Sequence, residues 1–183
     1  MGIHDTSNKQ KKTVLRTIRI TEELDGILEK DAKAQRTTVN ALMHSIIMKY
    51  AEWDRFTERF GHIALPKTLF RAILDLIDEN GLATLAEQVG VELTNEITSF
   101  WFKKVNNETL LQLLHNSCQY AKIGELEVED KGRDHTFSIY HEYGPNWSTF
   151  WEHYLDKAIR TYLKAIPRIV TTENEVNVSF QNP

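Results

Sequence analysis

Six residues near the N-terminus, Leu15-Arg16-Thr17-Ile18-Arg19-Ile20, alternate in character and run directly into Thr21-Glu22-Glu23-Leu24. Side chains on a strand alternate with period two, so Ile18 and Ile20 share one face with Arg16, while Leu15, Thr17 and Arg19 share the other. A strand this short, with a polar and partly basic face, forms no sheet alone. The neighbouring sequence offers it no partner, but a second copy of the chain would. The resulting two-stranded ribbon has the right dimensions to enter the major groove of duplex DNA.

Two helices are expected after the strand. Thr21 is a good N-cap, and Glu22 and Glu23 fall in a first turn, where the helix dipole favours anions. Leu24, Ile27, Leu28 and Ala32 recur at helical spacing. Gln35-Arg36-Thr37-Thr38 breaks that pattern. A second helix is expected from Thr38 or Val39, with Val39, Leu42, Met43, Ile46, Ile47 and Tyr50 as its apolar stripe.

The order strand, helix, short turn, helix resembles the ribbon-helix-helix family of MetJ, Arc and CopG type repressors. The resemblance is carried by Thr17-Ile18-Arg19-Ile20-Thr21, by Leu24, Leu28 and Ala32, and by Thr37-Thr38-Val39-Asn40-Ala41. It covers residues 13–53, under a third of the chain. It implies a homodimer whose core holds Ile18, Ile20, Leu24, Leu28, Val39, Leu42 and Ile46. It also implies that Leu15, Thr17 and Arg19 read base edges. Arg19 is suited to bidentate bonds with guanine. Leu15 departs from the family's usual polar residue and offers only apolar contact, for instance to a thymine methyl. Thr38, Val39 and Asn40 resemble the family's phosphate clamp, in which helix N-terminal amides meet a phosphate.

Charge supports this reading only when taken by region. The whole chain carries a formal −4. Residues 1–50 hold nine Lys or Arg against six Asp or Glu, a balance of +3, and the remainder hold thirteen against twenty, a balance of −7. Residues 1–12, with Lys9, Lys11 and Lys12, read as a basic arm; Lys11 and Lys12 would add salt-dependent phosphate affinity. The acidic remainder is expected to stay off DNA.

The other bounds are ordinary. Hydrophobic residues at 41% indicate a globular protein. No run of eighteen apolar residues marks a membrane span, and the start of the chain lacks an apolar signal segment. Cys118 is the only cysteine, which excludes an intrachain disulfide and fits a reducing compartment. A cytoplasmic location is expected.

Beyond the resemblance, the second helix could continue to Phe60, with Gly61 ending it, so domains are expected at 13–60 and 61–183. Pro66 opens a helix carrying Leu69, Phe70, Ile73, Leu74 and Ile77, closed by Asn80-Gly81. Further helices are expected over 82–104 and 108–121. The period then becomes two: strands over 124–129 and 135–143 flank a turn at 130–134. The second strand would place His135, Phe137, Ile139, His141 and Tyr143 on one face. Gly144-Pro145-Asn146 starts a helix bearing Trp147, Phe150, Trp151, Tyr154, Leu155, Ala158, Ile159, Tyr162 and Leu163. One last strand, bent, covers 168–180. The fold class is therefore α+β: a ribbon-helix-helix region, a helical segment, and a β-β-α-β antiparallel domain.

Other motifs carry less. Leu85 to Val91, with Thr94 and Ile97, imitates a helix-turn-helix, but its second helix has Glu92 and Glu96 and no Lys or Arg before Lys103, so a helix bent near Gly90 is the plainer reading. His115 and Cys118, three apart on a helix, are the candidates to share a metal; the tight His-x-His spacing of nickel-responsive relatives is absent. No Gly-rich phosphate loop, His-Glu-x-x-His or nucleophile elbow suggests catalysis, and no cofactor is indicated. The aromatics Tyr140, Tyr143, Trp147, Trp151 and Tyr154 read as core before they read as a pocket.

The expectation is a sequence-specific transcriptional regulator, a repressor, which acts as a homodimer or tetramer on double-stranded DNA. Its C-terminal domain would sense a small-molecule effector or build oligomers. The alternative is an antitoxin or architectural DNA-binding protein whose C-terminal domain binds a protein. A patterned domain spanning 61–183 is unlike the short disordered tail of an antitoxin.

Overall fold

The first helix begins where its sequence places it. In the computed structural model, which describes residues 13–131 and 134–181, Thr21 is extended (φ −73°, ψ 155°) and its hydroxyl accepts from the Leu24 amide at 3.3 Å. Helix α1 spans Glu22–Ala34, with acids in its first turn and Lys33 in its last. Arg36, at φ 53°, makes the turn in the left-handed region. Thr38 then caps α2, Val39–Lys49, by accepting from the Ala41 amide at 3.2 Å. Residues 13–20 form no hydrogen-bonded strand. They pair with no other strand among the described residues, so the described N-terminal region is helical and the expected two-stranded ribbon does not form within the chain.

Contacts divide the chain into two compact units after Met48, ahead of the boundary expected at residue 60. Aromatic residues explain the displacement. After α2 comes a π-helical turn, Tyr50–Asp54, and then α3, Arg55–Phe60, ended by Gly61 at φ 64°. Trp53 is buried, edge-on to Trp101 at 5.4 Å, and Phe56 lies 5.0 Å from Trp101. Asn116 donates to the Glu52 carbonyl at 3.3 Å and the Tyr120 hydroxyl donates to the Glu52 carboxylate at 2.6 Å. These contacts bind 49–60 to the second unit.

That unit contains α4 (Lys67–Leu74), α5 (Glu79–Phe102), α6 (Asn107–Ala121), β1 (Glu125–Lys131), β2 (Asp134–Tyr140), α7 (Pro145–Ala158), a π turn (Ile159–Leu163), β3 (Arg168–Thr171) and β4 (Glu175–Gln181). The antiparallel sheet has the order β1-β2-β4-β3. Its buried face aligns Leu126 with Ile139, Phe137 with Val178, and Ile139 with Val176. Trp151, Leu155 and Ile159 join these residues in one core with Leu82, Ala86 and Leu114 of the helices.

Three expectations are corrected. The last strand is two, because the Thr172 amide donates to the Glu175 carbonyl at 2.9 Å and turns the chain at Glu173 and Asn174, without a Gly or Pro to announce it. The strand expected over 135–143 stops at Tyr140. Both neighbouring strands end there, opposite Glu125 and Glu175, so His141 and Tyr143 leave the sheet. Finally, the helix expected to close at Asn80-Gly81 ends at Leu74, and those two residues open α5, where Asp78 accepts from the Gly81 amide at 2.7 Å; α5 then runs through Gly90 as the helix read over Leu85 to Ile97.

Candidate nucleic-acid interface

The first unit keeps much of its apolar surface uncovered. Leu28 and Ala32 are buried, and Val39 and Leu42 are half-buried. The remaining residues expected in a dimer core are exposed in the lone chain: Ile18 is 60% exposed, Leu24 43% and Ile46 52%, with Ile20 also open. Ile27 and Ile47 add to the same uncovered surface. A helix pair that leaves this many large aliphatics in water is incomplete by itself. Leu15, Thr17 and Arg19 are exposed as well.

At the start of α2 the cap serves Ala41 only. The amides of Val39 and Asn40 have no intrahelical acceptor, and no other acceptor meets them among the described residues. They stand at the positive end of an eleven-residue helix, the ordinary chemistry of a phosphate contact. Lys11 and Lys12 lie outside the described residues.

The second unit has a cleft of about 560 Å³ between the C-terminal end of α6, the start of β1 and the 140–143 turn. Its charged lining is mixed: Lys67, Lys122, Glu125 and Glu142, with Tyr140 and Tyr143 between them. Lys67 bonds Glu142 at 2.9 Å, an exposed pair of 75-residue separation that no sequence signal announces. The Tyr143 hydroxyl donates to the Lys122 carbonyl at 2.6 Å. Mixed charges and phenolic rings suit a small polar molecule better than an apolar one.

His141, on the cleft wall, is wired as a structural corner. Its Nδ1 accepts from the Tyr143 amide at 3.3 Å, so Nε2 carries the hydrogen and donates to Ser148 Oγ at 2.9 Å. Ser148 passes its own hydrogen to the Glu173 carbonyl at 3.4 Å. Burial holds the pKa of the imidazole down to about 4. In this arrangement the histidine donates to the serine, the reverse of a nucleophile and its base. The expected pair of His115 and Cys118 also meets at the cleft, but burial pushes the thiol up to about 12, which opposes the thiolate a metal needs. Among the described residues no group of three or more His, Cys, Asp or Glu is placed to hold a metal.

Comparison with known protein families, with characterised proteins and with solved structures finds no match to this chain.

Proposed function

We propose that this protein is a sequence-specific DNA-binding regulator, a repressor, that acts as a homodimer through an intermolecular ribbon formed by residues 15–20. The observation that carries the reading is the pairing of two features in the first unit. An alternating strand segment without a partner precedes two capped helices, and the aliphatic surface of those helices is uncovered in the lone chain. A second copy supplies both missing contacts at once, by pairing the strands and covering Ile18, Ile20, Leu24 and Ile46. The same pairing sets Leu15, Thr17 and Arg19 in a row on the outward face, with Arg19 aimed at guanine. It also sets the amides of Val39 and Asn40 at flanking phosphates.

In this reading the cleft of the second unit receives a small polar effector, and binding there biases assembly or DNA affinity. No helix among the described residues is long and apolar enough to cross a membrane. The test is the mass of the full chain in solution together with its preference among duplexes. A dimer that retains a preferred duplex against excess random DNA supports the reading. A monomer that ignores DNA at low salt removes it. A dimer that binds all duplexes equally replaces it with an architectural role.

A further inference from the structure

The second unit gathers three cations on one set of aromatic rings. Across residues 51–183 acids outnumber bases, and several cations there meet a carboxylate: Lys67 with Glu142, Lys104 with Glu108, Lys157 with Glu87 and Arg160 with Asp156. Arg55, Arg59 and Lys103 form no ion pair among the described residues. The acid beside Arg55, Asp54, is taken by Lys49 at 2.5 Å, and Glu58 of the same short helix pairs with none of the three. Each rests instead on an aromatic face. The Arg55 guanidinium lies 4.3 Å from the Phe56 ring centre, Arg59 lies 4.3 Å from Phe100, and the Lys103 ammonium lies 5.5 Å from that same Phe100 ring.

The rings form one platform, since Phe56 meets Phe100 edge-on at 6.3 Å and Phe60 meets it at 5.6 Å. Two positive charges over one ring stand at most about 10 Å apart. A guanidinium stacked on a ring keeps its in-plane N–H donors directed outward and unspent. All three cations are exposed, and the rings beneath them are half-buried. Like charges repel, so three cations collected on shared rings, in a region rich in acids, are arranged for an anion from outside the chain. Several fixed cations within this reach suit a phosphate backbone, which offers successive anionic groups.

We propose that Arg55, Arg59 and Lys103 form a second phosphate-contacting surface, which grips the DNA backbone without reading sequence while the first unit reads the bases. This rests on the DNA-binding reading above and revises the expectation that the acidic region stays clear of DNA: its net charge is negative, but this patch is not.

The experiment is DNA affinity of the full chain as a function of salt, on a preferred duplex and on a random duplex of equal length. The double variant Arg59→Gln with Lys103→Gln is compared with wild type and with the charge-keeping pair Arg59→Lys and Lys103→Arg. Each phosphate contact contributes about 0.9 to the slope of log affinity against log salt. The neutral variant should therefore lose about two units of slope per engaged protomer, equally on both duplexes, while the charge-keeping variant retains it. Phe100→Leu keeps an apolar side chain, removes the platform and should also lower the slope. An unchanged slope in the neutral variant, with Arg19→Ala still losing discrimination, overturns the patch and leaves the regulator standing. Loss of inorganic phosphate binding with an unchanged DNA slope assigns the patch to a free anion and overturns the proposal. Failure of wild type to bind either duplex overturns both.

Discussion

A β-carbon placed on Gly90 would lie 3.0 Å from the carbonyl oxygen of Tyr154 and 3.5 Å from its Cα. Helices α5 and α7 touch backbone to backbone at this point. One turn further along α5, the Tyr154 hydroxyl and Thr94 Oγ1 meet at 2.5 Å, both buried. Tyr162 extends the seam by donating to the Val91 carbonyl. Glycine is needed here for closeness.

Gly90→Ala should therefore destabilise the second unit by about 1–3 kcal/mol, since the obstructing atoms are backbone and cannot swing aside. Gly26→Ala in α1 is the control. Nothing lies within 4 Å of its added carbon, and the change should stabilise the first unit by about 0.5–1 kcal/mol through helix propensity. Denaturant unfolding of both variants checks the pair. Equal effects would mean that α5 and α7 are not packed this closely.

His141 predicts a pH response. Its folded pKa is depressed to about 4 from an ordinary 6.5 by burial, so the unfolded chain takes up a proton at higher pH than the folded one. The stability tied to the neutral ring is complete above pH 6.5 and declines as pH falls toward 4. His141→Gln keeps an amide donor for Ser148 but cannot titrate. Melting temperatures from about pH 7 down to about pH 4 should fall more steeply for wild type than for this variant. Parallel curves would place the acid sensitivity elsewhere.

Ile18→Asp and Ile20→Asp address the dimer. Both positions are open to water in the lone chain, and in the proposed dimer the second copy covers them. Across a paired ribbon each would bury an unpaired carboxylate, at a cost of several kcal/mol. Sedimentation should show the dimer dissociating at least about a hundredfold more readily, and the first unit should lose helix content as its aliphatic surface is uncovered. Wild-type dimer strength in both variants would contradict a ribbon built on these residues.

Much of the fold was legible because it rests on local chemistry. Thr21 and Thr38 announce their helices by cap and spacing, and Trp147 to Leu163 announces α7 by an almost continuous apolar stripe. The illegible features depend on distance. The boundary moved to Met48 because Trp53 and Phe56 find Trp101 and Tyr120, which lie far along the chain. The turn at Glu173 and Asn174 lacks glycine and proline. The Lys67–Glu142 pair and the His141–Ser148 corner are products of tertiary packing. Arg55, Arg59 and Lys103 read as ordinary surface charge in the sequence, because only the fold brings Phe100 beneath α3.

The compact unit that begins at Lys49 makes a direct prediction. Residues 49–183 expressed alone should unfold in one cooperative transition, because Trp53, Trp101 and Tyr120 remain together. A fragment beginning at residue 61 loses Trp53 and Phe56 and should melt at a lower temperature. Identical melting of the two fragments would return the boundary to residue 60.

In the proposed function, a ribbon from two chains reads DNA through Leu15, Thr17 and Arg19. Selection of bound duplexes from a random library tests it most directly, with wild type and Arg19→Ala carried in parallel. Wild type should enrich a repeated half-site containing guanine, and the variant should lose about 1–3 kcal/mol of discrimination at that guanine while remaining dimeric. Enrichment of the same motif to the same degree by both proteins, or no enrichment by wild type, would contradict the account.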